Sequence, residues 1–215
     1  EHKKIKLVAN IKCSEHTKQT IEIGDIRNEH QSYVLDETKS KPFKGTFNGM
    51  NHSITGIRTD YQKEVSGLFG VNNGIIQNVK LVANNINGKQ FVGGVAGYNS
   101  GRIEGSCNIQ GSVSAENNVE KNYVSAGGVV GMNNGTISRS FNQGSVSSKS
   151  FSSSYAGGVV GWNIAGQIEN SYNGGLVSSQ SNHSVAGGVV GVTASSRYKM
   201  ENIYNTGSVS SRGNN

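Results

Sequence analysis

The chain has 215 residues, with 30 glycines, a single proline (Pro42), two cysteines and a formal net charge of +6. That length allows one domain with a substantial core or two small ones. The apolar residues recur too regularly for a disordered chain, and no apolar run approaches the roughly 18 residues of a membrane span. Cys13 and Cys107 lie far apart and match neither a disulfide framework nor a zinc-ligand spacing.

From Glu1 to Pro42 charges are dense and mixed, and no glycine block occurs. These residues read as an N-terminal cap, with "IKLVANIKC" from Ile5 supplying a strand that covers a solenoid end. The stretch "FKGTFNGMNHSITGI" from Phe43 reads as the first coil, two short strands with Gly45, Gly49 and Gly56 at tight places. Repeats then run through residues 43–215. Glycine blocks stand at Gly67 ("GLFG"), Gly94 ("GVAG") and Gly128, Gly158 and Gly188 ("GVVG"). Behind them come "NGIIQNV" from Asn73, "SGRIEGSCN" from Ser100, "NGTISRSFN" from Asn134, "AGQIENSYN" from Ala165 and the worn "YKMENIYN" from Tyr198. A turn and a valine follow, at Val113, Val146, Val177 and Val209, and each unit closes on a Ser-rich stretch read as a loop at one edge of the stack. The chain ends in "SVSSRGNN" where another repeat would begin, so the solenoid is expected to be truncated there or to join a further domain. No signal peptide precedes Glu1, which suits a fragment of a secreted precursor as well as a complete soluble protein.

Each unit carries two short apolar segments that cannot bury themselves alone. A helix is excluded, because Gly costs roughly 1 kcal/mol relative to Ala in a helix interior. Strands stacked coil on coil satisfy the backbone, so the fold expected is all-β: a right-handed parallel β-helix of five or six coils. Asn72, Asn99, Asn133 and Asn163 share one position, with Thr193 last, and stacked amides can bond along the axis. Ile76, Ile103, Ile137, Ile168 and Met200 form an inward column. Cys107, Phe141, Tyr172 and Tyr204 form another, pointing outward because Ser106, Ser140 and Ser171 are small enough to point inside. Phe141, Tyr172 and Tyr204, with Trp162, make the candidate ligand surface; the favoured reading of these aromatics is stacking within the solenoid. "GGVVG" places two apolar residues side by side, so either the coil bends there or Phe69, Ala96, Val130, Val160 and Val190 face outward. Covering of that outer face by a neighbouring element is the favoured reading.

Catalysis lacks a constellation. The aligned Glu104 and Glu169 lie two rungs apart, about 9.6 Å, which could just satisfy an inverting glycosidase geometry. They are expected to be solvated charges on the convex face. His2, His16, His30 and His52 are scattered in the N-terminal part and His183 sits alone, so neither a metal site nor a serine nucleophile with its base is expected. The glycine block occurs five times with no helix after it, unlike a nucleotide loop. Lys80, Arg102, Arg139 and Arg197 fall at different repeat positions, so specific nucleic-acid recognition is not expected; diffuse attraction to anionic glycans remains open. No cofactor is expected.

Taken together, "FKGTFNGMNHSITGI", "GLFGVNNGIIQNVKL" and the repeated "GGVVGxNxGxIxxSYNxGxV" resemble the GLUG-motif repeats of bacterial surface proteins, over Phe43 to Val209. Such repeats occur in secreted adhesins and in the non-catalytic N-terminal part of streptococcal immunoglobulin-A-cleaving metallopeptidases. The resemblance implies an extracellular, wall-associated or secreted module that binds a host protein or glycan or serves as a rigid spacer. It carries over no catalytic residue, and the sequence holds no HExxH motif. The competing class is a carbohydrate-active β-helix enzyme.

Overall fold

The computed structural model describes residues 3–13, 41–59, 61–119, 123–195 and 198–213. Every described strand pair is parallel and joins one coil to the next. One coil shows the plan. Its five strands are Phe91–Gly93, Ala96–Asn99, Arg102–Glu104, Cys107–Ile109 and Ser112–Asn117. We number the five sheets by this order within the coil. The first, second and fifth sheets have five strands each, and the third and fourth have seven. The chain is therefore a parallel β-solenoid, with complete coils starting at Val65, Phe91, Tyr123, Ser153 and His183. Before them, Thr46–Asn48 and Ser53–Thr55 extend the third and fourth sheets, with Gly45 and Gly56 at the expected tight places. "IKLVANIKC" supplies two strands, Lys4–Lys6 and Ile11–Lys12, which add one further rung. The rest of the expected cap, residues 14–40, lies outside the described residues.

Core columns follow from identical letters in identical places. Ile76, Ile103, Ile137 and Ile168 are in register and fully buried, and Met200 continues the column at 40% exposure. Ile5 and Phe47 precede them in the same column, and Val113, Val146 and Val177 fill the core behind the fifth sheet. Along the corner between the second and third sheets the amide ladder forms as expected. Asn72 Nδ2 donates to Asn99 Oδ1, Asn99 to Asn133 and Asn133 to Asn163, at 2.8, 2.8 and 2.9 Å. The same side chains hold their own turns, as where Gly74 N donates to Asn72 Oδ1. Thr193 stands level with Asn163 and closes the column.

The GVVG corner departs from the favoured expectation. Val129 and Val130 are both fully buried in the one core cluster, as are Phe69, Ala96 and Val160, so these residues make no outer stripe. The coil bends instead. Gly127 and Gly131 flank the bend, and a Cβ on Gly127 would run into the Val130 carbonyl oxygen, while one on Gly131 would sit 2.5 Å from Val92 N. Such close backbone approach is open only to glycine. The corner enters the core as a wedge with valines at its tip, and period-two alternation is suspended at the bend.

The Ser-rich stretches are not the loops expected at the edge of the stack. They are strands of the fifth sheet: Ser112–Asn117, Ser145–Ser150, Val177–Gln180 and Val209–Arg212. The largest variation in repeat length falls in the connections that follow them, with changes of one or two residues at other turns, as between Asn163 and Gln167. A unit thus holds five short strands where two apolar segments were legible.

Candidate binding surfaces

Three outer surfaces carry the side chains with chemistry to offer. The first is the aromatic column on the fourth sheet. Cys107 pairs with Phe141, Phe141 with Tyr172 and Tyr172 with Tyr204, each one rung apart. The rings stack at 4.9 and 5.0 Å with planes 4° apart. Ser106, Ser140 and Ser171 turn inward with no exposure, leaving the aromatics outside as expected. Their faces are occupied by one another, so the column offers solvent mainly ring edges. Tyr204, 55% exposed, has its far face open. Burial above all, and then the neighbouring Tyr204 and Cys107, push the Tyr172 hydroxyl pKa up. Burial also raises the Cys107 thiol, against the opposing pull of Lys80.

Trp162 lies elsewhere. It sits on the outer face of the second sheet, level with Met132 and Val192. There it joins a satellite cluster in the notch outside the glycine corner, edge-on to Tyr123 at 4.8 Å and to Tyr155 at 5.6 Å. The structure therefore brings Phe141, Tyr172 and Tyr204 together and keeps Trp162 apart from them.

The third surface, on the fifth sheet, was missed in the sequence because its residues read as loop. Alternation sends the valines inward and sets Ser114, Ser147, Ser178 and Ser210 in one outer column. Glu116, Lys149, Gln180 and Arg212 form a parallel column two residues on. Between them runs an open depression of about 390 Å³. Lys149 Nζ lies 3.2 Å from Glu116 Oε1, balancing that end, while Arg212 leaves the other end cationic.

A second polar ladder also escaped the sequence reading. Asn108, Asn142, Asn173 and Asn205 hand one N–H forward at each rung of the fourth sheet, at 2.9, 2.8 and 2.8 Å. The signal was present in the repeated "CN", "FN" and "YN" pairs.

Glu104 and Glu169 stand in register on the third sheet with Ser138 between them. Glu104 is bound by two arginines, whereas the lysine nearest Glu169 is bonded to Glu201 at 2.6 Å. Arg102 reaches Glu104 Oε2 at 2.7 Å and Arg139 reaches its other oxygen, while Lys199 lies 3.9 Å from Glu169. Arg102 and Arg139 hold Glu104 to 20% exposure, so it is not the freely solvated charge expected. Among the described residues no group of three or more His, Cys, Asp or Glu gathers in a way that could hold a metal ion. His52 and His183 lie on separate coils, and His2, His16 and His30 are outside the described residues, as is Arg197. Among the described residues no helix is long and apolar enough to cross a membrane.

The fold and its stacked columns define a parallel β-solenoid repeat protein. No protein-family model matches the sequence, and no curated protein matches it. A solved structure does: "a putative immunoglobulin A1 protease from Bacteroides ovatus" superposes with a TM-score of 0.66 over 92% of this chain at 22% identity. At that identity the likeness is one of fold. This chain spans 57% of the length of that one.

Proposed function

We propose that this chain is a non-catalytic module of an extracellular bacterial protein, secreted or wall-associated, of the GLUG-repeat kind. It presents the outer face of its fifth sheet to a glycan or host protein. The observation that carries this reading is where the repeated letters go. Isoleucines, valines, asparagines and inward serines all stack on their counterparts, so repetition records architecture, and the side chains left facing solvent on the fifth sheet form a continuous polar depression. The two arginines on Glu104 support a non-catalytic role, because a general acid or base must be free to exchange protons with substrate and water. The fold likeness to the Bacteroides protein supports a place beside a peptidase domain in a longer polypeptide, as part of an adhesin or a secreted peptidase.

Arrays of glycans and of host extracellular proteins test the reading. Binding to a member of either class, weakened at least about tenfold by joint Lys149→Ala and Arg212→Ala substitution, is expected for polar-rim contacts. A folded sample silent on both arrays would leave only the spacer role. Release of reducing sugar from an acidic polysaccharide, abolished by Glu104→Gln with Glu169→Gln, would overturn the non-catalytic reading.

A further inference from the structure

The sequence contains five Asn-Gly pairs, at Asn48, Asn73, Asn87, Asn134 and Asn173. An Asn-Gly pair is the peptide most open to spontaneous deamidation, because glycine has no side chain to shield its backbone nitrogen. That nitrogen attacks the asparagine Cγ, an N–C bond forms and ammonia leaves, giving a cyclic imide. Water then opens either carbonyl of the ring, to aspartate or to isoaspartate, whose backbone runs through Cβ. No oxidant or catalyst is needed. The step requires a glycine N–H that can be released and an asparagine side chain free to swing onto it.

The solenoid restrains the asparagine side chain at four of the pairs, by hydrogen bonds at three and by burial alone at Asn87, and at those three it also holds the glycine N–H. Asn173 is fully buried: its Oδ1 accepts from Asn142 Nδ2 and Gly175 N, and its Nδ2 donates to Asn205, while Gly174 N is held on Asn142 O at 2.8 Å. Asn48 Oδ1 accepts from Met50 N and Asn78 Nδ2, and Gly49 N is held on Gln77 O. Asn73 Oδ1 accepts from Ser100 Oγ at 2.7 Å, and Gly74 N is held on Asn72 Oδ1 at 3.0 Å. Asn87 is 5% exposed inside the strand Asn85–Gly88. Asn134 differs. Its side chain is exposed and has no hydrogen bond among the described residues, and Gly135 N reaches its acceptor, Asn133 Oδ1, only at 3.3 Å.

We propose that Asn134 is a modification site, at which this protein deamidates with water as the only co-reactant, while the coil protects the other four asparagines. The consequence is local and structural. The Asn134–Gly135 turn rests directly on the coil before it, since a Cβ on Gly135 would meet the Gly101 carbonyl oxygen. An isoaspartate adds a backbone carbon there and pulls Asn133 out of the amide ladder.

The test is incubation of the folded chain in mildly alkaline buffer, with peptide mapping and isoaspartate detection at all five pairs, beside a sample held in denaturant. In the folded chain Asn134 is expected to react at least about tenfold faster than any other pair, because the others wait on local opening. In denaturant the five are expected to react at similar rates, and Asn134→Gln is expected to leave the folded chain unmodified at that position. Similar rates at all five pairs in the folded chain would overturn the proposal. So would an intact Asn134 after the denatured sample has reacted, or any of the other four reacting first.

Discussion

A buried asparagine in this chain completes two sets of hydrogen bonds at once. Asn133 accepts from Asn99, donates to Asn163 and ties Gly135 N and O to its own turn. Removing it strands an N–H on one neighbour and a carbonyl oxygen on the other, each buried. With about 1–3 kcal/mol for each orphaned group, Asn133→Ala is expected to destabilise by about 2–5 kcal/mol. Urea unfolding, with an unchanged slope, measures it. This ladder was legible because Asn72, Asn99, Asn133 and Asn163 follow the glycine block at constant spacing. The second ladder was not, because its column begins with Ile54 and Leu81 and its asparagines sit beside conspicuous aromatics. Glu64 makes a different statement at the same scale. Burial raises its pKa more than Lys89 lowers it. A carboxyl whose pKa is higher folded than unfolded favours the fold in its protonated form, so that stabilisation is present at low pH. It is lost as pH rises from the ordinary carboxylate range through the raised value. Glu64→Gln is expected to flatten stability against pH across that window and to raise stability slightly at neutral pH, the gain kept small by solvent screening of a half-exposed group.

Among elements, the wedge between the first and second sheets decides the cross-section. Alternation gives a sound account of the fifth sheet, where valine faces in and serine out, and it fails at GVVG, where Val129 and Val130 both face in. The reason lies in the flanking glycines, which let two backbones approach within a distance that any Cβ forbids. That distinction was beyond a rule based on side-chain polarity, which sees an apolar pair and supplies a covering element. Gly127→Ala sets a methyl group against the Val130 carbonyl, a backbone atom with nowhere to move. A loss of about 3 kcal/mol or more is expected, at the upper end of overpacking costs. The near-ultraviolet signal of Trp162, packed in the notch beside this corner, should change with it, whereas a substitution at exposed Leu176 should leave that signal as it was.

At the scale of the whole molecule, each coil touches only its neighbours, so stability is a sum of coil terms and interface terms. Ala126 and Ala156 are register partners, and so are Val130 and Val160, Ile137 and Ile168, and Phe141 and Tyr172. Excising residues 126–155 therefore joins Ser125 to Ala156 and sets the coil that begins at Ala156 on the coil that holds Val92, Ile103 and Val113. The columns close again: Val160 meets Ala96, Ile168 meets Ile103, and Asn163 meets Asn99 in the amide ladder. Tyr172 meets Cys107 outside. Complementarity is lost chiefly at two places: buried Ser179 and Ser181 lose the hydroxyls of Ser148 and Ser154, and on the third sheet Glu169 now stands directly above Glu104. Like charges opposed on adjacent strands destabilise by less than about 1 kcal/mol, and Arg102 remains beside them to offset it. The shortened chain is expected to fold, to keep a parallel-β circular dichroism spectrum, and to unfold cooperatively with a denaturant slope reduced in proportion to the surface removed. Lengthening the excision by a single residue, to 126–156, joins Ser125 to Gly157 and turns the side chains at the junction to the opposite face, and that variant should fail to fold. If both deletions behave alike, the coils are not held by register and the stacked columns are not what specifies the fold.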